Sequence, residues 1–106
     1  MPNSLSTIKL SNNPCSLHAQ KRCVERYGNA LEIDKAAKAV IDILSGRAVH
    51  ILPGETNNTA VFAVLLDGKA VPVVYDKKRR SIVTVLPRKA ILNMLTKRIY
   101  QLQENI

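Results

Sequence analysis

Tryptophan is absent from the chain, phenylalanine occurs once and tyrosine three times. So few flat side chains argue against a recognition surface that stacks on successive bases. Cysteine occurs only at Cys15 and Cys23, with no Cys or His cluster beside either. That is neither a metal-ligand spacing nor a disulfide framework. With Cys23 on a helix and Cys15 just ahead of it, a bridge would have to span roughly 11–12 Å, about two helical turns and too far for a disulfide. Free thiols fit a reducing compartment, so a cytoplasmic protein is expected. No stretch approaches the ~18 apolar residues of a membrane span, and the first residues carry no apolar h-region. The expectation is a soluble, unexported protein with no membrane partner. A Gly-rich phosphate loop, a nucleophile elbow and paired carboxylates are also missing. Their absence argues against ATP use and metal hydrolysis, and neither cofactor nor metal is expected.

Acidic residues are scarce as well. Asp and Glu total 8 against 16 Lys and Arg, a net charge of +8 with a pI near 9.9. A field of that sign draws phosphate backbones and releases their counterions on contact. Nucleic acid or another polyanion is therefore the expected partner, although a charge of roughly 2–8 also serves solubility in a small domain. At 106 residues and 46% hydrophobic, the chain is long enough for one core and rich enough in Val, Ile, Leu and Ala to fill it.

Along the chain, residues 1–15 read as a flexible arm and 16–106 as a single domain. The arm is rich in Ser and Asn, with a short extended piece at Thr7–Leu10. Ser16 is a helix N-cap, and Gly28 stops the helix that follows. A second helix runs to Gly46, with Ile33, Ala36, Ala37, Val40, Ile41 and Leu44 at helical spacing. Strands follow at Ala48–Leu52, Thr59–Leu66, Lys69–Tyr75 and Arg80–Leu86. Asp67-Gly68 supplies a tight hairpin turn between two of them. Pro72, inside a strand, predicts either an edge position or a bulge. After Pro87, Ile91, Leu92, Leu95, Ile99 and Leu102 form the apolar stripe of a last helix. The fold class is α+β: two N-terminal helices, an antiparallel sheet of about four strands, and a C-terminal helix.

The first helix carries the unusual chemistry. His18, Arg22 and Arg26 stand at i, i+4 and i+8, about 40° apart per step, so they line one face. Three cationic side chains in a row repel one another unless an anion lies opposite, and Arg offers phosphate two parallel donors. Glu25 partly neutralises the row and Lys21 flanks it. A second basic cluster, Lys77, Lys78, Arg79 and Arg80, lies in the turn before the last strand. A third, Arg88 and Lys89, opens the last helix, where positive charge opposes the macrodipole. If these clusters gather at the first helix they make one electropositive surface. Metal-independent RNA cleavage needs an acid/base and cations around the phosphorane, and His18 is the best acid/base because imidazole titrates near neutrality. His50, in an apolar strand, reads as a satisfied sheet residue. Tyr75 and Thr84 reach a phosphate only if they face the first helix, and their strand parity favours the core.

His18-Ala-Gln-Lys21-Arg22, with Glu25-Arg26-Tyr27-Gly28 and the late segment Val71–Pro87 (VPVVYDKKRRSIVTVLP), resembles small proteins of the barnase/RelE-like ribonuclease superfamily. The likeness extends to its uncharacterised toxin-like and phage-encoded relatives and covers residues 18–87. It implies helices on one face of an antiparallel sheet and RNA as the favoured partner. It also implies His18 as acid/base, Arg22 and Arg26 as phosphate or transition-state cations, and Thr84 as an orienting hydroxyl. A cognate protein inhibitor or a host protein is a further partner it implies. The C-terminal Tyr and strand-borne Arg/Lys of RelE-type toxins have no counterpart here beyond Tyr100 and Arg98, on the last helix and outside that span. Two functions follow: a metal-independent ribonuclease, or a non-catalytic binder of nucleic acid or of a host protein through the same basic face. A third is self-association through the apolar terminal helix.

Overall fold

The fold is seen in a computed structural model that describes residues 13–104. The expected extended piece at Thr7–Leu10 lies outside them. Helix α1 spans Leu17–Tyr27 and α2 spans Ile33–Leu44. Strands β1 (Val49–Pro53), β2 (Thr59–Leu66), β3 (Lys69–Asp76) and β4 (Ser81–Val85) form one antiparallel sheet in sequential order. Helix α3, Arg88–Glu104, closes the described chain. This is the expected α+β architecture in the expected order.

Each helix begins and ends for a local reason. The Ser16 side chain accepts from the Ala19 N–H, and Gly28, at φ 75°, returns its own N–H to the Val24 carbonyl. Ala19 and Cys23 are buried, with Tyr27 half-buried one turn on, so α1 lays an i, i+4, i+8 row on the sheet. Helix α2 buries Ala36, Ala39, Val40 and Ile43. Ile33 and Leu44, expected in that stripe, are 55% and 40% exposed because they lie at the helix ends. The core joins these residues to Val64, Leu66, Val71, Val73, Tyr75, Ile82 and Val85 on one face of the sheet.

Two features of the sheet depart from the pattern in the sequence. Pro72 predicts an edge strand or a bulge, yet β3 lies between β2 and β4 and Pro72 is buried. Its carbonyl accepts from the Leu86 N–H, so its missing N–H falls opposite Leu86, whose carbonyl accepts from the Tyr27 hydroxyl instead. The sheet therefore loses almost nothing. Two residues further on, the register slips: Tyr75 pairs with Ile82 but Val74 pairs with Thr84, leaving Val83 as an extra residue. That bulge lets Ile82 and Val85 both face the core, and it turns Thr84 to the opposite face.

The outer edge of β4 is covered from the N-terminal side. The Pro14 carbonyl accepts from the Ile82 N–H at 2.8 Å, the Ser16 N–H donates to the Ile82 carbonyl at 2.9 Å, and the Ser16 hydroxyl donates to the Val83 carbonyl at 2.9 Å. Pro14 and Cys15, expected within a flexible arm over 1–15, are consequently buried. At the other edge, β1 is five residues long, interrupted by a bulge at Ile51 and ended by Pro53, features that discourage pairing with another chain.

Ser16 thus caps a helix and satisfies a strand edge with one hydroxyl. Ser16→Ala is expected to lower unfolding free energy by about 1–2 kcal/mol, read as a lower urea midpoint at unchanged m value. Cys15 and Cys23 are both buried free thiols, and burial raises both above the ordinary thiol range. Their reaction with a disulfide reagent at pH 8 should be slow in the folded protein and fast in urea. Equal rates in the two conditions would contradict the packing.

Candidate nucleic-acid interface

Helix α1 lies along β4 in the same direction as the strand. Its N-terminus meets Ile82 and Val83 through Ser16, and its C-terminus meets the strand's end through Arg26 and Tyr27. The Arg26 guanidinium donates to the Val85 carbonyl, and the Tyr27 hydroxyl donates to the Leu86 carbonyl at 2.6 Å. Those two carbonyls continue the row that Ser16 begins. Burial pushes the Tyr27 phenol up, so it stays a donor across the physiological range.

The row His18, Arg22 and Arg26 exists as expected, but its three members differ in what holds them. His18 is exposed and, among the described residues, makes no hydrogen bond or ion pair. Arg22 pairs with Glu25, both more than a third exposed, and that hydrogen bond holds the Glu25 carboxyl below its usual range. Arg26 is tied to the strand. Its charge faces outward, while one of its donors does structural work.

Thr84 does not join them. It lies across the sheet with Val61, Val74 and Leu86, lining a groove of about 440 Å³ that Met94 of α3 borders. The role implied for it beside His18 fails because the bulge at Val83 reverses its parity. Tyr75 faces the helices but is only 2% exposed, too deep to reach a solvent phosphate. His50 sits exposed on β1 with its ring 5.0 Å from that of Phe62. Tyr100 is 63% exposed on α3.

The two remaining basic clusters lie at the two ends of β4. Lys77, Lys78, Arg79 and Arg80, all exposed, form the turn entering it. The Asp76 carboxylate organises that turn by accepting from the Lys78 and Arg79 N–H groups at 2.9 and 3.0 Å. Arg80 adopts φ 53°, a conformation that large side chains seldom take. Arg88 and Lys89, also exposed, begin α3 immediately after the strand. Arg88 stacks over the Tyr27 ring at 5.4 Å and donates to the Ala70 carbonyl at 3.3 Å. Strand β4 covers roughly 17 Å and α1 about the same, so the clusters are set out in line along one edge of the sheet.

Ser16 and Tyr27 carry this arrangement without belonging to the basic set. Ser16 is legible in the sequence as a cap, but nothing local marks Tyr27 as a donor to the strand. Comparison with protein-family models, with curated proteins and with solved structures finds no match to this chain.

The split between Arg22 and Arg26 is measurable. Arg26→Gln is expected to cost about 1–2 kcal/mol of stability, since a charged donor to a part-buried carbonyl is removed. Arg22→Gln removes only an exposed pair and should leave the urea midpoint where it was.

Proposed function

We propose that this protein binds nucleic acid, RNA foremost, by its phosphate backbone along the α1–β4 edge. One observation carries the reading. Lys21, Arg22, Arg26, Lys77, Lys78, Arg79, Arg80, Arg88 and Lys89 lie on α1 or at the two ends of β4. Set against Glu25 and Asp76, these nine cations hold a net +7 of the chain's +8. A charge excess spread for solubility has no reason to gather on one edge. Concentrated there, it meets a polyanion with several simultaneous contacts and releases counterions from each. The scarcity of aromatic residues agrees with phosphate-led binding in place of base stacking. RNA is put first because the resemblance in the first helix and late strand implies it.

A second reading, metal-independent RNA cleavage, is favoured by His18 alone. Its imidazole is exposed, unpartnered among the described residues and one turn from the Arg22 guanidinium. Against it stand the placement of Thr84 on the other face and the use of Arg26 on a backbone carbonyl. Binding needs neither residue to be free.

Both readings meet in one assay on purified protein with labelled RNA and DNA in EDTA. Retention on filters should fall steeply with salt, with a double-logarithmic slope of about −3 to −4 if some five phosphates of a single strand are engaged. Lys77→Glu/Lys78→Glu should weaken RNA binding by about tenfold or more while leaving the fold intact, since both side chains are exposed. No retention at low salt, or retention indifferent to these charges, would sink the binding proposal. RNA cut in EDTA by the native protein and left whole by His18→Ala would make the protein a ribonuclease. Intact RNA would leave it a binder.

A further inference from the structure

Helix α3 has two apolar faces, and the sheet covers one of them. Ala90, Ile91 and Met94 are half-buried where the helix leaves β4 and crosses the far side of the sheet. Leu92, Leu95, Ile99 and Leu102 are 69%, 40%, 55% and 56% exposed. Their spacing is three, four, three, the strict seam of a helix that packs on another helix, and narrower than the stripe a helix lays on a sheet. Lys97 lies opposite the seam and Arg98 flanks it by helical spacing, so neither charge falls on a seam position. From Leu95 to Gln103 every side chain whose burial is described is exposed. A free helical stretch of that length is marginal in water without tertiary packing.

We propose that α3 is covered by α3 of a second copy of this chain, the two helices running antiparallel about a two-fold axis near Lys97. Three observations choose that occupant. The three-four-three spacing reads the same in both directions, so a reversed copy sets Leu92 against Leu102 and Leu95 against Ile99. The seam is therefore complementary to itself, as a two-fold contact requires. Charge sets the direction. Each body carries its basic edge at the N-terminal end of α3, beside Arg88 and Lys89, and a parallel pair would bring two such edges together. An antiparallel pair separates them by about the helix length, roughly 25 Å. Area sets the strength. Covering the four seam side chains removes on the order of 400 Å² of apolar surface per chain, about half of what a standard interface buries on each partner. The dimer is accordingly a weak, reversible one. This inference does not depend on nucleic-acid binding.

Sedimentation equilibrium of the full chain, without nucleic acid, tests it from about 5 µM to 1 mM, a range suited to a weak interface. The mean mass should climb from 11.7 kDa towards twice that value. Ile99→Asp should hold it at the monomer value and should match the native circular dichroism at the lowest concentration, where both are monomers, because Ile99 is 55% exposed and lies outside the buried core cluster. Should that variant misfold, Leu102→Glu gives the same reading one turn away. A monomer at every concentration would falsify the proposal, and so would a dimer that survives both substitutions. For orientation, mixing Leu92→Cys with Leu102→Cys chains under mild oxidation should give mainly mixed disulfides. Homodisulfides of each variant in preference to the mixed product would overturn the antiparallel arrangement.

Discussion

Strand β4 ends the sheet, and the polar groups along its outer edge must find partners or water. Every other feature of the basic edge follows from how that is met. Pro14, Ser16, Arg26 and Tyr27 supply donors and an acceptor to the backbone of Ile82, Val83, Val85 and Leu86. An edge so occupied cannot pair with another chain. The same bonds fix the position of α1 along the strand, since its two ends are tied to residues only a few positions apart in β4. A helix tied at both ends presents its remaining face at a fixed angle, and that face bears His18 and Arg22.

The chemistry of the edge is therefore divided between holding and display. Ser16, Tyr27 and one donor of Arg26 hold. Lys21, the turn Lys77–Arg80 and the pair Arg88 and Lys89 display charge on rigid supports. Asp76 anchors the turn through two backbone N–H groups, and Tyr27 anchors Arg88 through its ring. Gathering like charges costs self-repulsion, which relaxes when a polyanion arrives. Pre-positioned cations also lose less freedom on binding than flexible ones.

Two opposite solutions to exposed surface appear in the same molecule. At the β4 edge the polar backbone is covered from within the chain. On α3 an apolar seam is left uncovered, and the surface it offers suits another helix. Apart from Arg88 and Lys89, which open α3 itself, the residues of the basic edge lie on α1 and in the turn before β4, away from the seam. A paired molecule would present two such edges to one strand of nucleic acid, and linked edges bind more tightly than either alone.

The element order, the α+β class and the Asp67-Gly68 hairpin were legible in the sequence because they rest on local signals. A cap at Ser16, a stop at Gly28, helical spacing in α1 and α3, and alternating Val-rich runs each act within a few residues. Asp67 at φ 51° and Gly68 at φ 76° are what that dipeptide predicts. The alignment of His18, Arg22 and Arg26 on one face was equally local. What lay beyond reach was whatever depends on a distant partner. The extra residue at Val83 arises from the pairing of β3 with β4, and with it the side of the sheet that Thr84 faces. Pro72 is tolerated in an inner strand because the Leu86 carbonyl opposite it accepts from the Tyr27 hydroxyl. That one donor of Arg26 is tied to the Val85 carbonyl is visible only once β4 lies beside the helix. Composition and short-range periodicity alone determined the elements and the sum of charge. Only tertiary structure decided which edge gathers that charge, because a side chain's neighbours across a sheet are set by register, and register is a property of two strands.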